Sequence, residues 1–215
     1  PVESETAQVA IFHRLGLFLD NCRAALEALG IDSNADVTAS ASGELKMTEQ
    51  PKPVRERLYL AGGLAMANNG NPIGAQRFAD ALRQDQPDRA ARDWLAYLDG
   101  LIKLKMGNRD EGLASWESLA ESMVPEVRAR SQLALVEDRM AAGEMKPAEA
   151  IDRLERLRFI NRGGDFEFTL LRKLGGLYIA ERQPRKGLVA LRQLAANFPN
   201  RPETPEIADE MSRAF

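Results

Sequence analysis

Few residues in this sequence could support catalysis. There is one histidine, His13, and one cysteine, Cys22. A cysteine nucleophile needs a general base within hydrogen-bond reach. These two residues lie on the same predicted helix, separated by about 13 Å along its axis. They cannot pair within one chain, so we interpret both as structural and predict that the protein is not an enzyme.

A short acidic cluster, Asp85, Asp88 and Asp93, lacks the spacing of a metal site. A calcium loop needs oxygen ligands at alternate positions and a closing glutamate. Nor do the double glycines belong to a phosphate-binding loop, which needs a lysine and a hydroxyl residue. These pairs are Gly62-Gly63, Gly163-Gly164 and Gly175-Gly176. The sequence therefore predicts no metal and no cofactor.

The composition is that of a globular protein. The chain has 215 residues, of which 44% are hydrophobic and 28% charged, and its net charge of -3 gives no basic face for nucleic acid. No apolar run approaches the roughly 20 residues that cross a bilayer. Because the chain starts at Pro1 rather than methionine, we expect a piece of a longer protein and slightly favour the periplasm over the cytoplasm.

Hydrophobic periodicity divides the chain into four parts. Residues 1–31 form a predicted amphipathic helix, residues 32–53 a flexible linker, residues 54–202 a series of helices and short turns, and residues 203–215 the start of a further helix. No strand is predicted. The first helix runs from about Glu5 to Leu29, with apolar residues at helical spacing at Val9, Phe12, Leu15, Leu19, Cys22, Leu26 and Leu29.

Small residues recur at a fixed spacing through residues 54–202. A small residue on one helix is followed twelve positions later by another on the next helix, at Gly63/Ala75, Gly100/Gly112 and Gly175/Gly187. We call the first member of each pair the reference residue of its unit. A third unit has Val136 at this position and gains about two turn residues around Gly143 to Pro147. The predicted units are 54–88, 91–125, 127–163 and 166–202, and such a period is typical of a stacked helical array.

This pattern resembles the tetratricopeptide repeat. The fourth unit matches best, with Leu171, Leu174, Gly175, Tyr178, Gly187, Leu191, Leu194 and Pro199 in the eight positions of the motif. The resemblance implies an all-α fold, a right-handed superhelical array or α-solenoid, in which the first helices line a concave surface. In that family, peptide ligands commonly lie on this surface.

Applied to this chain, the resemblance implies a largely apolar groove. The lining positions are Arg57, Leu60, Leu64, Ala67, Trp94, Tyr97, Leu101, Leu104, Arg130, Leu133, Glu137, Met140, Thr169, Arg172, Gly176 and Ile179. We predict a non-catalytic scaffold that binds a protein or peptide, or a second copy of itself. Two alternatives stay open: a carrier of an apolar small molecule or lipid, and a structural segment whose groove is filled by its own N-terminal helix.

Basic residues are concentrated in the later part of the chain. Arg153, Arg156, Arg158 and Arg162 are candidates for docking an acidic partner. The alternative is that these long side chains coat the outer faces of the helices and keep the array in solution.

Overall fold

The computed structural model describes residues 50–160 and 164–213, and every regular element among them is helical. The prediction of an all-α fold is confirmed for these residues. The predicted N-terminal helix and most of the linker lie outside the described residues. The helices are α1 (Lys52–Asn68), α2 (Pro72–Gln84), α3 (Arg89–Lys105), α4 (Arg109–Glu117), α5 (Pro125–Ala141), α6 (Pro147–Leu157), α7 (Gly164–Ala180), α8 (Pro184–Asn197) and α9 (Thr204–Arg213), with a short 3₁₀ helix at Ser118–Glu121.

Proline marks the start of several helices. Pro72, Pro125, Pro147 and Pro184 each occupy the first helical position, where the missing N–H would have no partner in any case. Helix α1 begins at Lys52, inside the segment predicted as linker, and contains Pro53 in its first turn. The linker prediction is therefore too long at this end, because proline at the second helical position is compatible with a helix start.

The same backbone turn follows the first helix of each of the four units. Seven positions after the reference residue stands a residue with positive φ: Gly70 at 76°, Gly107 at 87°, Gly143 at 73° and Arg182 at 57°. The next residue donates its N–H to the carbonyl five positions earlier, in the pairs Asn71 to Met66, Asn108 to Lys103, Glu144 to Arg139 and Gln183 to Tyr178, at 2.8–2.9 Å. This hydrogen bond belongs to the Schellman motif that ends a helix.

Apart from the four repeat units predicted from the sequence, the chain divides into two compact units, which we call the first unit and the second unit. The first ends at Ser115 and the second begins at Trp116. In the first unit, α1 and α2 pack as a pair and α3 packs against both. Their shared core includes Leu58, Phe78, Leu82, Leu98 and Ile102. The glycines on α1 allow close packing, since a Cβ on Gly62 would lie 2.4 Å from the ring of Phe78.

In the second unit, consecutive helices pack in the order α5, α6, α7, α8 and α9. One core lies between α5, α6 and α7, with Val136 and Ala150 among its members, and a smaller one includes Leu171, Leu191 and Ile207. Val136 takes the place of the small reference residue in the third predicted repeat unit, and it is buried in the same core as its counterpart Ala150.

Two contacts recur at matching positions of different units. A Cβ on Gly112 would lie 3.0 Å from the carbonyl oxygen of Gly100, and a Cβ on Gly187 would lie 2.9 Å from that of Gly175. Each pair is separated by twelve residues, as in the spacing seen in the sequence, and such contacts leave little room for any side chain.

The second recurring contact is a polar pair. Arg55 Nε donates to Asp85 Oδ2 at 2.7 Å, and Asn197 Nδ2 donates to Glu167 Oε1 at 2.9 Å. Arg55 and Glu167 both lie eight positions before a reference residue. The two polar pairs therefore join corresponding positions of the first and fourth predicted repeat units.

Candidate functional site

The second unit contains an open groove of about 740 Å³ beside α7. Its apolar surface comes from Phe168, Leu177 and Ile179, which lie within one helix. The complete lining is Glu137, Phe168, Thr169, Arg172, Lys173, Gly176, Leu177, Ile179 and Glu210. Helix α7 thus supplies most of the surface, while α5 and α9 each contribute one carboxylate.

Gly176 exposes bare backbone within this second-unit groove. It is a helical residue, and a Cβ built on it would meet no atom within 4 Å outside its own neighbourhood. Glycine weakens a helix interior by roughly 0.5–1 kcal/mol relative to alanine. No packing contact explains its presence. The absence of a side chain at this position leaves open space in the groove above α7.

Charged side chains on the edge of the second-unit groove are held in ion pairs. Arg172 Nη2 lies 2.6 Å from Glu210 Oε1 and 3.3 Å from Glu206 Oε2, so it links α7 to α9. Lys173 Nζ lies 2.9 Å from Glu137 Oε1 and links α7 to α5. The hydrogen bond that Arg172 donates to Glu210 raises the pKa of the Arg172 guanidinium above its ordinary value.

The first unit has a smaller groove of about 400 Å³ between α1 and the start of α3. Leu60, Ala61, Leu64 and Trp94 supply apolar surface. The complete lining is Pro53, Glu56, Arg57, Leu60, Ala61, Leu64, Asp88, Ala90, Ala91 and Trp94.

The acidic residues of the first-unit groove fix the start of α3. Glu56 is 5% exposed, and its Oε1 accepts the backbone N–H of Asp88 at 3.1 Å. The Asp88 carboxylate in turn accepts the N–H of Ala91 at 2.8 Å, an N-cap hydrogen bond. The structure therefore gives both carboxylates a local structural role.

The positions predicted to line a groove are distributed over several environments. Arg57, Leu60, Leu64 and Trp94 meet in the first-unit groove, and Glu137, Thr169, Arg172, Gly176 and Ile179 meet in the second-unit groove. Tyr97 packs edge-on against Trp94 with ring centroids 5.9 Å apart, and Leu101 packs against the core of the first unit. Leu104 and Met140 are half-buried.

Two of these positions require correction, and a third, Arg130, is engaged by neighbouring side chains. Ala67 and Leu133 are buried in the cores of their units, and neither lines one of the two grooves. The core-facing side of a packed helix is wide, and both residues fall within it. Arg130 pairs with Glu126 at 2.9 Å and lies 5.9 Å from the ring centroid of Phe166, so it serves a contact within the unit.

Two of the basic candidates are engaged by neighbouring side chains. Arg153 lies 2.8 Å from Glu149, and Arg158 lies 3.3 Å from Glu155 while also donating to Gln193. Arg156 is exposed. Arg162, like His13 and Cys22, lies outside the described residues. Exposed pairs within one helix contribute little free energy, so these contacts fit a surface coating as well as a docking site.

Sequence reasoning missed Glu56, Lys173, Glu206 and Glu210. Lys173 and the two α9 glutamates contact partners on other helices, and no spacing along the chain indicates such pairs. The spacing of Glu206 and Glu210, one helical turn apart on α9, is the available signal that both face the same way.

Neither groove has the chemistry of a metal centre, because no group of three potential ligands occurs within residues 50–160 and 164–213. Among these residues there is also no helix long and apolar enough to cross a bilayer. Comparisons with known protein families, with characterised proteins and with solved structures found no match to this chain.

Proposed function

We propose that this chain is a right-handed superhelical array of tetratricopeptide-like repeats that acts as a non-catalytic protein-interaction scaffold. The proposed ligand is a segment of a partner protein, bound in the second-unit groove along α7. The identical turn after four helices and the two matching glycine contacts support the repeat assignment.

The observation that carries the functional proposal is the face of α7. Thr169, Arg172, Gly176 and Ile179 occupy positions that the resemblance assigns to ligand binding, and all four line the groove. Gly176 allows a ligand side chain to approach the helix backbone closely, while the half-buried Leu177 and Ile179 offer apolar contact. A peptide combines apolar side chains with polar backbone, which suits apolar surface edged by ion pairs.

The composition of the lining favours a peptide over an apolar small molecule or lipid. Four residues of the lining are charged, namely Glu137, Arg172, Lys173 and Glu210. A carrier site is expected to enclose its ligand and to present few polar groups. The open groove with charged edges therefore supports a scaffold rather than a carrier.

A groove-filling variant tests this proposal. Gly176→Leu adds a side chain where the structure has open space, so we expect the free energy of unfolding to be maintained or slightly raised, because leucine favours a helix more than glycine does. Peptides enriched from a random display library on the wild-type protein are expected to bind Gly176→Leu at least about tenfold more weakly, since excluding one buried apolar side chain removes roughly 1.5–3 kcal/mol.

Ala196→Leu is the matched control, because Ala196 is exposed on the neighbouring helix α8 and lies outside the lining. Isothermal titration of the enriched peptides against the three proteins measures the difference. Equal affinity for wild type and Gly176→Leu, or no enriched peptide, contradicts binding at this groove. Retention of a fluorescent fatty acid by wild type but not by Gly176→Leu, without any peptide binding, instead indicates a carrier.

A further inference from the structure

We propose that the first-unit groove is the docking site for the chain's own N-terminal segment, residues 5–29. This inference is independent of peptide binding at the second-unit groove. It assigns one occupant to one surface: the apolar side of residues 5–29 against Leu60, Ala61, Leu64 and Trp94.

The groove presents the right chemistry for an amphipathic helix. Leu64 and Trp94 are half-buried and pack against the core of the first unit from the groove side. Ala61 and Ala90 are small, so they leave a shallow depression between α1 and α3 that larger side chains can enter. Helix-in-groove recognition combines these elements: an apolar depression and a helix with apolar anchors at spacings of three and four residues.

The N-terminal segment needs a partner surface. Its sequence carries seven apolar residues at helical spacing, from Val9 to Leu29. A contiguous apolar surface of this size is rarely left in water by a soluble protein. These residues lie outside the described part of the chain, so the assignment rests on their sequence pattern and on the groove.

The chain enters the described region beside this groove. Pro53 lines the groove, and the carbonyl oxygen of Gln50 accepts a hydrogen bond from Arg55 Nη1 at 2.8 Å. Arg55 is itself held by Asp85, which ties the entry point to α2. Residues 30–49 are twenty residues, a length of chain that reaches at most about 70 Å when extended. Residues 5–29 can therefore return to the surface beside which the chain enters.

The same connection argues against a second copy as the occupant. A segment joined to its binding site by about twenty residues experiences an effective concentration in the millimolar range, far above a typical protein concentration. Docking within one chain is then favoured over docking between chains, provided that the linker reaches.

The reactivity of Cys22 provides a test in the full chain, because it is the single cysteine and belongs to the series of apolar residues between Val9 and Leu29. Its rate of reaction with an aromatic disulfide reagent measures how often the thiol is exposed. We expect this rate in the native protein to be on the order of tenfold lower than in urea, equivalent to about 1.4 kcal/mol of protection.

Two groove variants should release this protection. Ala90→Glu places a carboxylate in the exposed first turn of α3, where the helix dipole tolerates it, and Ala61→Arg places a long side chain across the groove. Both are expected to raise the Cys22 rate several-fold. Ile73→Glu is the matched control: Ile73 is 65% exposed at the corresponding second position of α2, outside the groove lining, and its rate should match wild type.

Circular dichroism melting checks that each variant is folded, and having two variants with different chemistry keeps the test informative if one fails to fold. A native rate equal to the urea rate overturns the proposal, because the thiol is then free. A slow rate that neither groove variant changes also overturns it, since the segment is then buried elsewhere. A rate that slows with increasing protein concentration assigns the occupant to a second copy and overturns docking within one chain.

Discussion

Gly175 and Gly176 are adjacent on α7, yet their surroundings differ. A Cβ on Gly175 would lie 2.5 Å from Leu191 Cδ2, whereas one on Gly176 would meet open space. Opposite them on α8, a Cβ on Gly187 would lie 2.9 Å from the Gly175 carbonyl oxygen and 2.7 Å from Ile179 Cγ1. Gly175 and Gly187 are therefore packing residues, and Gly176 is a surface residue.

Alanine substitutions should separate these roles. Gly187→Ala is expected to reduce the free energy of unfolding by about 1–2 kcal/mol, because a backbone carbonyl cannot move aside as a flexible side chain can. Gly176→Ala is expected to increase it by about 0.5–1 kcal/mol through helix propensity alone. Urea denaturation measures both, and an unchanged midpoint for Gly187→Ala would show that α7 and α8 are not in close contact here.

Arg182 holds the one turn position of the four that lacks glycine. Its φ of 57° places an ordinary side chain in the left-handed region, which costs roughly 1–2 kcal/mol relative to glycine before the entropy of the unfolded chain is counted. We expect Arg182→Gly to raise the free energy of unfolding by about 0.5–1 kcal/mol. Gly143→Ala, at the equivalent position of another unit, should lower it by a similar amount, and effects of the same sign for both would contradict the equivalence.

At the scale of the helices, α2 and α8 begin in the same way but are capped differently. Asn71 precedes α2, and its Oδ1 accepts the N–H of Gly74 at 2.8 Å. Gln183 precedes α8 with similar backbone angles, -112° and 56° against -108° and 76°, but makes no side-chain cap. Glutamine is longer by one methylene, which moves its amide oxygen away from the helix start.

Transferring the cap is a direct test of this equivalence. Gln183→Asn is expected to stabilise the protein by about 0.5–1 kcal/mol, and Asn71→Ala to destabilise it by about 1 kcal/mol. Thermal unfolding followed by circular dichroism at 222 nm reports both changes. A lower melting temperature for Gln183→Asn would mean that the side chain of Gln183 makes a contact that asparagine cannot replace.

Sequence periodicity predicted the helices because glycine and proline mark their ends by simple backbone rules. Gly70, Gly107 and Gly143 follow the first helices of three predicted repeat units. The prolines at positions 72, 147 and 184 begin the second helices of such units. Arg182 gave no such signal, because a non-glycine residue reaches positive φ only where the surrounding fold imposes it. The early start of α1 was missed for a related reason: Pro51 and Pro53 resemble a linker until the helix that follows is known.

Side-chain environments were predictable only in part. The spacing along α7 predicts that Thr169, Arg172, Gly176 and Ile179 share one face, and all four line the second-unit groove. Leu133 and Ala67 follow the same spacing on their own helices and are buried, because burial depends on which neighbours pack beside each helix. The contacts from Arg172 to Glu206 and Glu210 join residues more than thirty positions apart and have no sequence pattern.

At the scale of the whole molecule, each unit contains a buried tyrosine whose pKa is raised. Burial raises the pKa of Tyr59, and the nearby charge of Asp85 adds to this effect. Burial also raises the pKa of Tyr178, and its hydroxyl donates to Glu155 Oε1 at 2.9 Å. In the unfolded chain both hydroxyls ionise near pH 10.

This difference predicts alkaline instability. Below about pH 10 the tyrosines are neutral in both states, and their contribution to stability is fully present. As the pH rises above that value, the unfolded state loses protons first, so the free energy of unfolding falls until the folded-state pKa is passed. We expect urea denaturation at a series of pH values from about 8 to about 11.5 to show this decline, because the range brackets the ordinary tyrosine pKa.

Tyr59→Phe and Tyr178→Phe should each make the alkaline decline shallower, although Tyr178→Phe also loses a hydrogen bond and should be less stable at neutral pH. Absorbance at 295 nm follows tyrosinate formation directly. A slope unchanged in both variants would assign the alkaline transition to other groups.

The repeated turn also determines where this chain tolerates extra length. The interval from the reference residue to the positive-φ residue is seven positions in each of the four predicted repeat units. The third repeat unit has two more residues between this turn and its second helix, from Gly143 to Pro147, than the other three have. The turn closes α5 with its own hydrogen bonds, so the chain beyond it can lengthen without disturbing that helix, and here the longer connection buries Met145 against the core. The corresponding points after Gly70 and Gly107 are thus natural insertion sites, where an epitope or affinity tag can be placed between helices while the termini stay unmodified.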